Sequence, residues 1–180
     1  MAKEPPSASV RLAFAEQLWK EAGGIIVSME LPPSGVIGMA CLESTYGTSA
    51  HFKSHGVIFG ITKPRYWRLP MCEVQGTEWV LLPTQAVKDG PVIPDRFCIA
   101  DSLKTGMLQF RSFIENHPLL NTPEGKQRIK AVKSDPAGFL RIMAVTCMFG
   151  AGNGTEYPKT VMKIIEQESL RRFDGKAWNP

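Results

Sequence analysis

The apolar positions change their spacing along the chain, and each change marks a different element. Ala15, Leu18, Trp19 and Ala22 fall at i, i+3, i+4 and i+7, which predicts an amphipathic helix that Gly23-Gly24 would stop. Residues 1–9 ahead of it read as a loose tail. Pro32-Pro33-Ser34 breaks the chain and offers Ser34 as a cap, after which Val36, Ile37, Met39, Ala40 and Leu42 form a small, apolar stretch. That stretch predicts a buried helix ending near Glu43. Residues 65–82 then show short runs of Tyr, Trp and Val punctuated by Pro70, Gly76 and Pro83, the texture of an antiparallel hairpin, and 83–96 read as irregular around Asp89-Gly90-Pro91 and Pro94.

The rest of the pattern is helical. Asp101 or Ser102 caps a helix with Leu103, Met107, Phe110 and Ile114 on one face, running to His117-Pro118. Asp135-Pro136 opens another, with Leu140, Met143, Ala144 and Cys147 as its apolar stripe. A glycine-rich stretch at 150–154 ends it, and a last helix over about 158–172 turns Val161, Ile164 and Ile165 inward before a frayed tail at 173–180. The expected fold is α+β and mostly α: one domain over 10–172, helical with a small β-hairpin lobe. No internal repeat is present.

The chemistry of this pattern centres on Glu43. A carboxyl at the end of an apolar buried helix is costly to ionise, so its pKa rises, and a carboxyl that holds its proton near neutrality is a general acid. Composition narrows the rest. At 180 residues, with 43% hydrophobic and 21% charged, the chain can bury a proper core. Its net charge of +4 suits an anionic polymer. The basic residues are scattered, only Arg171-Arg172 being adjacent, and no nucleic-acid-binding signature is present, so nucleic acid is not the expected partner.

The four cysteines, Cys41, Cys72, Cys98 and Cys147, never form Cys-x-x-Cys, which argues against zinc and thioredoxin chemistry. They read as core thiols, with two disulfides left open for an oxidising compartment. His51 and His55 share a helical spacing but lack a third ligand, so neither a metal nor another cofactor is expected. The loop Gly150-Ala151-Gly152-Asn153-Gly154 lacks the Lys-Ser/Thr pair of a phosphate-binding loop. No secretory signal run and no membrane-spanning stretch is visible, which predicts synthesis in the cytoplasm without a Sec signal and no insertion into a membrane.

Leu42-Glu43-Ser44-Thr45-Tyr46-Gly47-Thr48-Ser49, followed by Ile58-Phe59-Gly60-Ile61, resembles the active-site stretch of the bacterial glucosaminidase family of autolysins, flagellar-rod hydrolases, phage endolysins and some type VI secretion effectors. The family pattern reads Leu-Glu-Ser-Gly-Trp-Gly and then Asn-Leu-Phe-Gly-Ile. This chain departs from it at Thr45, Tyr46 and Val57 and keeps the glutamate. Glu73 follows in the order in which the family carries a second glutamate in its β-lobe, 97–102 resembles the segment leading into the next helix, and Tyr157-Pro158 matches the family's last motif, whose first tyrosine is missing.

The resemblance implies a lysozyme-like fold with the hairpin lobe beside a catalytic cleft, and a peptidoglycan hydrolase of N-acetylglucosaminidase type. Glu43 would be the acid, Glu73 the assisting base or stabiliser of the sugar cation, and Tyr46, Trp67 and Tyr157 substrate-binding residues. Retaining, inverting and substrate-assisted courses all stay open, since they turn on the separation of two carboxyls. The setting expected is that of a secreted antibacterial toxin acting in the periplasm or cell wall of a target bacterium, with an immunity protein occluding the cleft. Muramidase cleavage and a catalytically silent wall-binding or scaffold domain are the alternatives.

Overall fold

The computed structural model describes residues 5–61, 78–84, 92–147 and 155–178. Seven α-helices, one 310 helix and one two-stranded antiparallel sheet occupy these residues: α1 (Ala8–Ser28), α2 (Pro33–Glu43), α3 (Ala50–His55), β1 (Glu78–Thr84), β2 (Ile93–Ile99), α4 (Leu103–Asn116), α5 (Pro123–Ala131), α6 (Pro136–Thr146), α7 (Glu156–Gln167) and the 310 helix Leu170–Phe173. The mostly helical α+β expectation is met.

Helix α2 is the hub. It is apolar all round, with Ser34 to Cys41 buried, so no face of it can look outward, and α1, α6, α7 and the 310 helix pack around it. Ser34 is not the cap: the helix starts one residue earlier, at Pro33, whose missing N–H costs nothing at a first helical position. Instead, the Asp174 carboxylate caps it from 140 residues away, accepting from the Ser34 N–H at 2.9 Å and from its hydroxyl at 2.8 Å.

Helix α1 also departs from expectation at both ends. It begins at Ala8 under a Ser7 cap, and it runs straight through Gly23-Gly24 to Ser28. The two glycines make room for a contact rather than ending the helix: a Cβ at Gly23 would lie 2.2 Å from Trp178, and the Trp178 indole donates to the Trp19 carbonyl at 3.1 Å. The segment after residue 173 is therefore tied to α1 at Trp178.

The hairpin lies later in the sequence than its texture suggests. Of 65–82, only the stretch from Glu78 lies within the described residues; it forms β1 and pairs with β2 in the register Glu78↔Ile99 to Thr84↔Ile93. Residues 93–96, read as irregular because of Pro94, belong to β2, since in a two-stranded sheet every strand is an edge and tolerates proline. Helix α5 was not expected from the pattern. It is polar, and only Gly125 of it is buried, but Thr122 caps it and Pro123 occupies its first turn. The 310 helix at Leu170–Phe173 completes what reads in sequence as the end of the last helix.

Candidate active site

Glu43 is the last residue of α2, and the way the helix ends decides where its carboxyl goes. The Tyr46 N–H donates to the Cys41 carbonyl at 2.7 Å and the Thr45 N–H to the Leu42 carbonyl at 3.1 Å, the two bonds of a Schellman cap. Such a cap needs a left-handed residue after the helix, and here three follow in succession: Thr45 (φ 50°), Tyr46 (φ 53°) and Gly47 (φ 72°). Only Gly47 takes this conformation without strain; Thr45 is β-branched and bears it on the surface. Buried Ser44 ties the turn together, its hydroxyl donating to the Ala40 carbonyl at 2.6 Å and accepting from the Gly47 N–H at 3.0 Å.

The second motif returns to the same place. Phe59 stacks on Phe110 of α4 with ring centroids 4.2 Å apart, and Ile58 fits so closely over Gly106 that a Cβ there would lie 2.3 Å from it. These contacts hold 58–61 against α4. Gly60, at φ 60°, turns its backbone past the acid: a Cβ on Gly60 would stand 3.9 Å from the Glu43 Oε2. Gly60 is exposed and puts no side chain between its own backbone and the carboxyl. The Cys98 N–H donates to the Ile61 carbonyl at 3.0 Å and buried Gln109 donates to the Ile99 carbonyl at 2.6 Å, so β2 is fastened directly to this segment.

Tyr157, in the first turn of α7, is 5% exposed and completes the described surroundings of the acid. Burial pushes the Glu43 carboxyl up from an ordinary 4.5 to about 7, and the nearby Tyr157 hydroxyl pulls the other way. Burial also raises the Tyr157 hydroxyl, helped by the charge of Glu43, so the phenol keeps its proton and acts as a donor. Near neutrality Glu43 is thus divided between its protonated and ionised forms. It can give a proton to a substrate oxygen, and Tyr157 steadies the carboxylate left behind.

Tyr46 goes elsewhere. Its ring is half-buried beside Cys41 and Glu168, with the Arg11 guanidinium 5.9 Å from the ring centroid, and burial pushes its hydroxyl up to about 12. The structure therefore brings Glu43, Gly60 and Tyr157 together and places Tyr46 against α1. Glu73 and Trp67 lie outside the described residues. Arg11 and Glu168 are the residues that sequence reasoning misses here: they are 157 positions apart, and no local signal links them.

Cys41 and Cys147 are free thiols, and burial raises both far above the reactive range, which fits core packing and not nucleophilic chemistry. Cys72 lies outside the described residues. Among the described residues no group of three His, Cys, Asp or Glu side chains could hold a metal ion, and no helix is long and apolar enough to cross a membrane.

The fold agrees with comparisons to solved structures. The catalytic domain of the autolysin Auto from Listeria monocytogenes superposes with a TM-score of 0.65 at 18% identity, over 97% of this chain and 91% of that one. The chain shares its fold with peptidoglycan hydrolases. An N-acetylmuramoyl-L-alanine amidase from Staphylococcus aureus gives a TM-score of 0.70 at 20% identity over 97% of this chain, which spans 46% of that one. A type VI secretion effector-immunity complex from Pseudomonas protegens gives 0.58 at 20% identity, over 90% and 93%. No protein-family model and no curated protein sequence matches the chain.

Proposed function

We propose that the protein is a peptidoglycan hydrolase that cuts the glycan strand after N-acetylglucosamine, with Glu43 as general acid. The observation that carries this reading is a carboxyl raised to about 7 by burial at the end of α2, with the exposed backbone of Gly60 and the Tyr157 hydroxyl beside it. Proton donation to the glycosidic oxygen is the demanding step of this chemistry, and an acid that is half protonated near neutrality meets it. The fold shared with the autolysin catalytic domain over almost the whole of both chains supports the same reading.

Glu73 is the proposed assisting carboxylate, arriving from the stretch that precedes β1, and Trp67 and Tyr157 are proposed to line the cleft. Tyr46 is better explained as part of the brace behind the acid. The likeness to the Pseudomonas protegens effector-immunity complex supports a setting as an antibacterial effector, acting on the wall of a target cell and neutralised in the producer by a protein that covers Glu43.

Digestion of purified peptidoglycan with mass spectrometry of the products tests the activity. Soluble fragments ending in reducing N-acetylglucosamine are the expected result. Fragments ending in reducing N-acetylmuramic acid would transfer the reading to a muramidase, and free stem peptides with intact strands would transfer it to an amidase. No product at any pH between 5 and 8 would leave a silent wall-binding domain.

A further inference from the structure

Behind the cap that ends α2 lies a second constellation, centred on Arg11. The Arg11 Nε donates to the Glu168 Oε1 at 2.6 Å, and an Arg11 Nη donates to the Pro6 carbonyl at 2.8 Å. Glu168 is 8% exposed and is itself held in place, because Arg172 donates to its backbone carbonyl at 2.6 Å and bonds Glu16 on α1 at 2.7 Å. This pair fixes the guanidinium at 5.9 Å from the Tyr46 ring centroid, within reach of a cation–π attraction. One helical turn further along the same face of α1, Phe14 closes on the next residue of the turn: a Cβ at Gly47 would stand 2.8 Å from its ring.

Arg11 and Phe14 therefore clamp Tyr46 and Gly47, the residues whose left-handed backbone completes the cap three and four positions after the acid. A strained turn persists only where its surroundings over-determine it, and this clamp does so. We propose that Arg11 is a positioning residue for Glu43, acting through the Tyr46 ring and the left-handed cap of α2. The proposal rests on the role given to Glu43 above and adds a residue whose described partners are Glu168, Tyr46 and the Pro6 carbonyl.

The sign of the effect separates positioning from bare charge. Around Glu43 the described partners are Tyr157 and the Gly60 backbone; around Arg11 they are Glu168, Tyr46 and the Pro6 carbonyl. Removing a cation would raise a nearby carboxyl by electrostatics alone, whereas loosening the cap lets water reach Glu43 and lowers it toward an ordinary value.

The experiment is a carbon-detected NMR titration of the Glu43 carboxyl in the full chain, for the wild type, Arg11→Gln, Arg11→Lys and Tyr46→Leu. The expected midpoint falls by about one unit in Arg11→Gln and Tyr46→Leu, a tenfold change in acid dissociation, and Arg11→Lys recovers at least half of the loss. On peptidoglycan, kcat falls about tenfold in the same two variants while KM holds within twofold, the pattern of a lost transition-state interaction. An unchanged or raised midpoint in a folded Arg11→Gln or Tyr46→Leu protein overturns the proposal, and Tyr46→Leu carries the test if Arg11→Gln does not fold. A wild type that cuts nothing would overturn the functional reading instead, and the titration would still decide the positioning.

Discussion

Two glutamates at opposite ends of α7 are both withdrawn from water, and they have been given different company. Glu168, at the C-cap, is paired with the Arg11 guanidinium at 2.6 Å and is bonded into a network that joins α1 to the 310 helix. Glu43, beside the first turn of α7, makes no ion pair among the described residues; its partner is the neutral phenol of Tyr157. The pair with Arg11 makes Glu168 a carboxylate that holds structure, whereas burial lets Glu43 take up a proton near neutrality. Burial raises the Glu43 carboxyl, and no cation among the described residues pairs with it to offset that rise.

The sharpest way to break this contrast is to take the cation from Glu168. Arg11→Met leaves a buried carboxylate unpaired and is expected to cost about 3 kcal/mol in urea unfolding, and the double variant Arg11→Met/Glu168→Leu should recover most of it because neither charge is then buried alone. A double variant no more stable than the single one would mean that the pair does not act as a unit.

Glu43 should behave in the opposite sense. Its carboxyl sits at about 7 when folded against an ordinary 4.5, so the folded chain binds more protons than the unfolded one between those values. Stability is then lost as pH rises from 4.5 through 7, and Glu43→Gln removes that loss. Thermal unfolding at pH 8 should find the variant more stable, by at most about 3 kcal/mol, with the gain absent at pH 4. A gain that does not change with pH would mean that the carboxyl titrates normally.

Tyr157→Phe tests the phenol directly. It removes the hydroxyl that lowers Glu43, so the alkaline limb of the pH–rate profile should move up by about half a unit, with a few-fold loss in kcat. The smallest effect is expected at the turn. Thr45→Gly relieves a left-handed β-branched residue and should stabilise the fold by about 0.5 kcal/mol, the relief being partly offset by the freer unfolded chain.

How much of this was legible in the sequence follows from how far apart the causes lie. The buried α2 and the carboxyl at its end are local patterns, readable from spacing and residue type, while Ile58-Phe59-Gly60-Ile61 stands out only by its resemblance to a family motif. The reversal of Gly23-Gly24 from helix stop to docking site was not, because Trp178 supplies its reason from more than 150 residues away. The same distance hid the Arg11–Glu168 pair and the capping of Ser34 by Asp174. Helix α5 was missed because a polar surface helix carries little apolar period, although Thr122-Pro123 did announce its start. Strand β2 was missed because proline reads as a break, a rule that an edge strand does not obey. At the site itself, the Arg11 guanidinium that stands 5.9 Å from the Tyr46 ring centroid comes from 35 positions away, and no local pattern announces that contact.

The central claim is that Glu43 delivers the proton, and the most direct measurement is the rate of fragment release from purified peptidoglycan at pH 6 by the wild type and by Glu43→Gln, with matching folded spectra for both. A fall in kcat of about a thousandfold with KM little changed is the predicted result, the size expected for the loss of a general acid. A variant that keeps more than a tenth of the wild-type rate would contradict the account.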